Sequence, residues 1–225
     1  MGEILSALPV QAYFLQPCKE AATGSVRHHL GGGSRLPASC ADCDRPLATL
    51  LSLDTTDPRL ELCGRGLRAI DLCACISCPE TRYTFAPDGE IAPITTFAPL
   101  SPPRGTELVP PSYCPVRLHA VPDRIVEVRT LAAEGRLSEA GAWVKEFDWQ
   151  SPGNQVGGRP AILGGMLPSP KCPTCGVAPP FVAAIVSALG DARRPAEIGT
   201  AQVLFFLCLE CPSAIAIRLE DWRPD

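Results

Sequence analysis

The chain has 225 residues, a formal net charge of −4 and a pI of about 5.5. Hydrophobic residues make up 46% of it, which is enough for a core and excludes a globally disordered chain. The only lysines are Lys19, Lys145 and Lys171, and the arginines are scattered. Because nucleic-acid binding needs a basic face, this charge pattern disfavours nucleic acid as a partner.

The N-terminus and the apolar runs predict a cytoplasmic protein without a membrane partner. The stretch MGEILSALPVQAYFL lacks the basic n-region of a signal peptide. The longest apolar run, at 181–189, is far shorter than the roughly 20 residues of a membrane-spanning helix. In a reducing compartment, the 12 cysteines of this chain point to metal binding or redox chemistry before disulfides.

The first half, residues 1–90, is predicted to be a β unit that carries two C-x-x-C motifs. A Gly-Gly turn at Gly31 and Gly32 precedes the first motif, and the segments LRAIDLCACISC and TRYTF have the composition of strands. We expect the second motif to form a turn between two strands. The four cysteines are Cys40, Cys43, Cys75 and Cys78.

A proline-rich connector, assigned to residues 91–122, separates the halves. Proline fixes φ and removes a backbone donor, so this stretch is not predicted to lie inside a sheet. The sequence after it is helical in pattern, with Ala140, Trp143, Val144 and Phe147 on one face. Ser138 is a predicted N-cap, and Gly135 is expected to end a preceding helix near Glu134.

Residues 123–225 are predicted to combine this helical hairpin with a second β unit that repeats the first. The motifs recur as Cys172, Cys175, Cys208 and Cys211. The first pair is offset by 132 residues from its counterpart and the second by 133. Because the Gly-Gly turn and the apolar strands recur as well, the pattern predicts an internal duplication.

The eight paired cysteines predict two structural zinc sites. A C-x-x-C turn supplies half of a tetrahedron of thiolates, and a second turn supplies the rest. The alternatives are one intact site, formed by the second set of cysteines, a redox pair, or plain buried thiols. A redox pair would need a βαβ setting that this sequence lacks. A mononuclear iron site would use the same ligands.

The remaining cysteines and histidines are assigned weaker roles. Cys73 could replace Cys75 as a ligand, but its counterpart in the second half is Phe206, which favours Cys75. The other residues are predicted to be packing thiols or structural histidines, with a minor metal alternative for the first two histidines: Cys18, Cys63, Cys114, His28, His29 and His119.

Residues 154–222 resemble the YwqG-like family of domains of unknown function and the related C-terminal domain of the programmed cell death protein 2 family. A weaker copy of the pattern covers residues 28–85. The positions that carry the resemblance are Gly157, Gly158, Pro160, Cys172, Pro173, Cys175, Gly176, Gly199, Cys208 and Cys211. The resemblance implies a β-rich, zinc-stapled interaction protein. Members of the cell-death-protein branch look like dedicated chaperones of a ribosomal protein, so the resemblance also suggests a partner of that kind.

Together these observations predict a mainly β fold with two duplicated antiparallel units, two structural zinc ions, a connector and a short helical hairpin. A four-cysteine site has no open coordination position, and the sequence shows neither a P-loop nor a nucleophile elbow. The predicted function is therefore protein binding, adaptor-like or chaperone-like, without catalysis or a small-molecule substrate. The alternatives are an enzyme with a site between the halves and a thiol redox or sensor protein.

Overall fold

The computed structural model describes residue 7 and residues 9–18, 27–32, 38–62, 68–86, 91–94, 106–140, 153–163, 168–191 and 194–222. Most of the secondary structure in these ranges is β. The strands are β1 (Tyr13–Pro17), β2 (His28–Leu30), β3 (Leu47–Asp54), β4 (Ala69–Cys75), β5 (Glu80–Phe85), β6 (Ile91–Ile94), β7 (Thr106–Val109), β8 (Cys114–Ala120), β9 (Gln155–Val156), β10 (Phe181–Asp191), β11 (Arg194–Cys208) and β12 (Ser213–Trp222). The helical elements are α1 (Asp123–Ala133) and two 3-10 turns, Pro58–Leu60 and Leu137–Ala140.

All of these strands belong to one curled antiparallel sheet. Its order is β4-β3-β2-β8-β1-β9-β10-β11-β12-β5-β6, and β7 pairs with the far end of β10. The prediction of a mainly β, antiparallel fold is confirmed. Strands of the first half, residues 1–90, pair with strands of residues 123–225 at two places, between β1 and β9 and between β5 and β12.

The two halves of the sheet share their pairing register. The order β4-β3-β2-β8 on one side corresponds to β11-β10-β9-β1 on the other. The corresponding pairs are His29–Ser52 with Gln155–Ala184, and Leu30–Leu51 with Val156–Ala183. The offset between the halves is 126 residues for β2 and β9 (29 to 155) and 132 for β3 and β10 (52 to 184).

The Gly-Gly turns lie directly after β2 and β9, as the sequence predicts. Gly31 and Gly157 have φ angles of 60° and 67°, in the left-handed region that glycine tolerates best. A Cβ on Gly31 would lie 1.9 Å from the carbonyl oxygen of Pro111, and one on Gly157 would lie 2.4 Å from that of Pro9. Both turns therefore need glycine for its backbone conformation and for the space its missing side chain leaves.

The halves differ in how β4 and β11 pair with the strand that follows. β11 and β12 form a continuous hairpin from Cys208–Ser213 to Gly199–Trp222. β5 instead leaves β4 and pairs with β12. One backbone hydrogen bond closes each end of this pairing, from Phe85 to Pro212 at 2.9 Å and from Arg218 to Pro79 at 2.7 Å.

Side chains of β5 hydrogen-bond the backbone groups on the outer edge of β4, beside which no described strand pairs. The Tyr83 hydroxyl accepts from the Cys73 N–H at 2.8 Å and donates to the Asp71 carbonyl at 3.2 Å. The Thr81 hydroxyl accepts from the Cys75 N–H at 2.8 Å. Since buried backbone groups need partners, these two side chains replace the ladder that β5 would have made.

The main core fills the inside of the curled sheet. Several of its leucines come from β3 and the 3-10 turn after it, and Leu50, Leu51, Leu53 and Leu60 are fully buried. A second apolar cluster covers the other face of β10–β12 and includes Phe181, Leu204, Phe206 and Ile215.

The buried amide of Gln202 holds a chain segment against this second cluster. It accepts from the Leu163 N–H at 3.0 Å and donates to the Ala161 carbonyl at 2.7 Å. Ile162, between these two residues, packs against the second cluster. A single polar side chain on the apolar face thus fixes the loop that covers it.

Helix α1 ends as the sequence predicts. Gly135 has a φ of 71°, its N–H donates to the Ala132 carbonyl, and the Arg136 N–H donates to Leu131. This pair of bonds is a Schellman motif, so the prediction for Gly135 is confirmed. The predicted second helix lies mostly outside the described residues, since Trp143, Val144 and Phe147 fall within 141–152, and Ser138 belongs to the 3-10 turn Leu137–Ala140.

The connector predicted at residues 91–122 contributes three strands, and the prediction that it lies outside a sheet is wrong for β8, which pairs on both sides, with β2 and β1. The other two, β6 and β7, lie at edges of the sheet. β6 ends the strand order and contains Pro93, a residue that suits an edge because it cannot donate to a ladder. β7 pairs on one side only, with β10. Among the helices of the described ranges, none has the length and apolar character needed to cross a membrane.

Candidate metal centres

The structure brings the eight predicted cysteines together in two groups of four. The first cluster consists of Cys40, Cys43, Cys75 and Cys78, and the second consists of Cys172, Cys175, Cys208 and Cys211. Within each cluster all four Sγ atoms lie within 4.8 Å of one another. Every described cysteine is a free thiol.

The sulfur spacing fits a tetrahedral ion. A Zn–S bond of about 2.3 Å implies an edge of about 3.8 Å between sulfurs in a tetrahedron. The Sγ atoms of Cys175 and Cys208 are 3.8 Å apart, those of Cys40 and Cys78 are 3.9 Å apart, and those of Cys43 and Cys75 are 3.4 Å apart. Four thiolates in this arrangement complete the coordination shell of zinc, or of iron bound in the same way.

The first turn of each cluster uses the same backbone hydrogen bonds. In both, the N–H of the residue after the second cysteine donates to the carbonyl of the first cysteine, from Asp44 to Cys40 and from Gly176 to Cys172. The N–H of the first cysteine donates in turn to the carbonyl of the next residue along, from Cys40 to Arg45 and from Cys172 to Val177. Asp44 and Gly176 have φ angles of 60° and 73°. Because each turn needs a left-handed residue after its second cysteine, glycine or aspartate is favoured there.

The second turn of each cluster joins two strands, as predicted. Cys75 ends β4 and Cys208 ends β11, while β5 and β12 begin just after Cys78 and Cys211. In the first cluster the N–H groups of Ser77 and Cys78 point at the Cys75 sulfur, at 3.4 and 3.3 Å. Such donors favour the thiolate form that a metal requires.

The thiols of each cluster oppose one another's ionisation. Burial raises the pKa of Cys75 to about 12, and burial together with the neighbouring thiols raises that of Cys78 further. In the second cluster, hydrogen bonding to Cys175 is the main cause that raises the pKa of Cys211 to about 12. A divalent cation would supply the missing positive charge and allow all four sulfurs to ionise together.

One cysteine in each cluster has a lowered pKa. Burial opposes ionisation of Cys172, but the Ser213 hydroxyl and the turn amides outweigh it and lower its pKa to about 6. The Ser213 Oγ lies 3.4 Å from the Cys172 sulfur and is buried. At Cys43 the Arg45 N–H and the neighbouring thiols likewise outweigh burial and lower the pKa. Hydrogen bonding therefore favours the thiolate form at these two sulfurs.

Arg218 connects the first cluster to the second half of the chain. Its guanidinium donates to the carbonyls of Ile76 and Ser77, between the two cysteines of the second turn, at 3.0 and 3.2 Å. Its Nε also lies 2.7 Å from Glu220 Oε1, but neither atom has a well-aligned hydrogen bond, so this contact is an ion pair only. A buried arginine on β12 thus fixes the turn that presents Cys75 and Cys78.

The histidines lie outside both clusters. His28 is buried, with Nε2 2.9 Å from Asp57 Oδ2 and Nδ1 accepting from the Asp54 N–H at 3.1 Å. Since Nδ1 is an acceptor, the proton sits on Nε2 and is donated to Asp57. His29 stacks on Tyr113 with ring centroids 5.0 Å apart, and His119 is exposed on β8.

Asn154 occupies the place in the second half that His28 occupies in the first. Its Oδ1 accepts from the Val186 N–H at 2.7 Å, and the offsets are again 126 and 132 residues. A ring nitrogen of His28 and a side-chain oxygen of Asn154 thus accept hydrogen bonds from corresponding positions of β3 and β10. The role of His28 is accordingly structural, not metal binding.

The other cysteines are separate from the clusters. Cys73 is fully buried beside the Thr49 hydroxyl at 3.5 Å, and Cys75, not Cys73, belongs to the first cluster. Cys18 and Cys114 are half-buried. Cys63 lies outside the described residues.

Sequence reasoning missed the side chains that support the clusters, namely Tyr83, Thr81, Arg218 and Ser213. A signal for the first two exists in the repeat. At an offset of 133, Thr81 and Tyr83 correspond to Ala214 and Ala216. Small alanines in the second half thus correspond to the larger Thr81 and Tyr83 in the first half, where side-chain hydroxyls replace the backbone hydrogen bonds of a paired strand.

No family model, no curated protein and no solved structure matches this chain. Four thiolates around one ion leave no position for water or substrate, so a cluster of this kind stabilises a fold and does not activate a ligand.

Proposed function

We propose that the chain is a protein-binding protein, adaptor-like or chaperone-like, whose fold is held by two structural zinc ions. The first ion would be bound by Cys40, Cys43, Cys75 and Cys78, and the second by Cys172, Cys175, Cys208 and Cys211. Bound zinc would supply charge neutralisation and a cross-link between turns. We assign the protein no catalytic chemistry and place it in the cytoplasm, where the thiols would stay reduced.

The observation that carries this proposal is the position of the clusters in the sheet. Each cluster ties the start of one strand to a turn about 30 residues later, and both turns flank the β5–β12 pairing. A bound ion at each cluster would hold the turns in place, and it would occupy the sulfurs that could otherwise react. A rigid surface without a reactive centre is suited to binding another macromolecule.

We further propose that the halves arose by duplication. The shared register, the glycine turns, the identical cysteine turns and the matching acceptors of His28 and Asn154 all support it. The resemblance of residues 154–222 to the YwqG-like and programmed cell death protein 2 families supports the same view. By that resemblance, a ribosomal protein is the first partner to test.

Metal content tests the proposal most directly. Protein purified without added zinc should carry two zinc ions per chain, and a strong chelator should remove them with loss of the native circular dichroism signal. Cys75→Ser and Cys208→Ser should each reduce the content to one, whereas the matched control Cys18→Ser should retain two. Protein that folds without metal, with most paired thiols free, would contradict the zinc assignment.

Partner capture tests the other half of the proposal. The zinc-loaded chain should retain a stoichiometric protein partner from its own host, and chelation should release it. If no such partner appears across several conditions, the binding function is wrong even when the zinc assignment holds.

A thiol redox or sensor function is the second candidate, because the second cluster has an exposed cysteine, Cys175, beside the low-pKa Cys172. Thiol titration separates the two functions. Reversible loss of reactive thiols under a mild oxidant would favour redox activity, and thiols masked by metal would favour the structural role.

A further inference from the structure

The first cluster is covered by a strand from the connector. The Leu108 N–H of β7 donates to the Ile76 carbonyl at 2.8 Å, and the Leu108 side chain is 3% exposed within the main core. β7 also pairs with the end of β10. This strand therefore lies across the turn that presents Cys75 and Cys78.

A charge pair adds selectivity to this contact. Arg45, at the end of the first turn, lies 3.5 Å from Glu107 of β7. Arg218 covers the same turn from the other side by donating to the Ile76 and Ser77 carbonyls. The first cluster is thus enclosed by one extended segment and one guanidinium.

The corresponding surface of the second cluster is exposed among the described residues. Val177 corresponds to Arg45 and is 64% exposed. Glu210 is exposed where the first half has the buried Ser77, and Pro212 is exposed where it has the half-buried Pro79.

The groups that cover the first cluster have no chemical equivalent at the second. Phe85 corresponds to Arg218, and a phenyl ring cannot donate to the Leu209 carbonyl, which corresponds to that of Ile76. Leu209 itself is only partly buried. The second cluster thus keeps the backbone geometry of a strand-docking turn, while no described strand or guanidinium covers it as β7 and Arg218 cover the first cluster.

We propose that the open turns of the second cluster bind an extended segment of a partner protein, as the turns of the first cluster bind β7. This inference rests on the proposed protein-binding function and adds the surface and the chemistry of the ligand. The segment donates a backbone N–H to the Leu209 carbonyl and places an apolar side chain over Val177. Main-chain bonds would supply affinity, and the Val177 contact would supply specificity.

The difference between Val177 and Arg45 determines which side chain the segment carries. In the first half, a guanidinium selects the carboxylate of Glu107. In the second half, an isopropyl group would leave a carboxylate desolvated without a partner, so it selects an apolar residue. A second copy of the chain could cover the same surface, and the experiment includes that outcome.

The test uses two labelled peptides and two full-length proteins. One peptide has the sequence of residues 105–110, Gly-Thr-Glu-Leu-Val-Pro, and the other has leucine in place of its glutamate. The proteins are the zinc-loaded chain and its Val177→Arg variant, which recreates the residue of the first half. Because Val177 is exposed, the variant should fold, and two zinc ions per chain would verify this.

The native chain should bind the leucine peptide about tenfold more tightly than the glutamate peptide, and Val177→Arg should reverse this preference. Fluorescence anisotropy measures the affinities, and amide hydrogen exchange should show protection at 174–178 and 208–212. An unchanged preference in the variant, protection elsewhere, or no binding of either peptide would overturn the proposal. Self-association that Val177→Arg abolishes, seen by sedimentation, would identify a second copy as the occupant instead.

These outcomes are separate from the fate of the proposed function. If a captured partner binds the native chain and Val177→Arg equally, the docking site is wrong and the binding function stands. If the chain captures no partner and holds no zinc, the proposed function fails irrespective of the peptides.

Discussion

Replacement of Tyr83 by phenylalanine should destabilise the protein although it removes a single oxygen atom. The side chain is fully buried, and its hydroxyl bonds both the Cys73 N–H and the Asp71 carbonyl on the edge of β4. Tyr83→Phe leaves the ring in place, so no cavity larger than the hydroxyl forms. The loss therefore reports the hydrogen bonds and not the packing.

The magnitude follows from the burial of the two backbone groups. A buried donor left without a partner costs about 1–3 kcal/mol. Cys73 is fully buried, so its N–H bears most of this cost, whereas Asp71 is half-buried and its carbonyl is closer to water. We expect Tyr83→Phe to lower the free energy of unfolding by about 2 kcal/mol.

Urea denaturation of the zinc-loaded protein measures this loss. Tyr113→Phe is the matched control, because Tyr113 is 63% exposed, so removal of its hydroxyl leaves no backbone group desolvated. Amide hydrogen exchange should speed up at Cys73 in Tyr83→Phe and stay unchanged in the control. A loss below about 0.5 kcal/mol, with the Cys73 amide still protected, would refute the view that Tyr83 replaces a strand at the edge of β4.

Three further predictions concern the surroundings of the clusters. Arg218→Leu should cost about 3 kcal/mol by urea denaturation, because it leaves the half-buried Glu220 without its ion pair, and it should speed zinc release. Arg117→Leu, at an exposed position, should do neither. The second cluster should lose zinc to a chelator before the first, since Cys175 is exposed and Cys75 is buried. Mass spectrometry of alkylated thiols measures the order of release, and the opposite order would show that burial does not control it. Burial opposes ionisation of Asp57, but Arg59 and His28 outweigh it and lower its pKa to about 2. Asp57 therefore stabilises the fold above its unfolded pKa of 3.8 and loses this effect as the pH falls towards 2. Asp57→Asn should cost about 2 kcal/mol at pH 7, and a cost in denaturation experiments that does not shrink in acid would contradict this.

The local features of the clusters could be predicted from the sequence. A C-x-x-C turn presents two sulfurs to one side, and its geometry depends on a few adjacent residues such as Gly176. The eight cysteines, the glycine turns at Gly31 and Gly157 and the end of α1 at Gly135 all belong to this class. In each, steric limits on φ or the spacing of neighbouring residues fix the structure, so a short window of sequence contains the information.

The pairing of the halves was decided by the tertiary structure. Nothing near β5 indicates that it leaves β4 for β12, more than 130 residues away, because strand pairing depends on the burial of both faces and on which edges remain free. The roles of Tyr83, Thr81 and Arg218 follow from that choice. The sequence by itself determined where the turns and the paired cysteines lie, and only the packing of distant strands determined which side chains surround the first cluster.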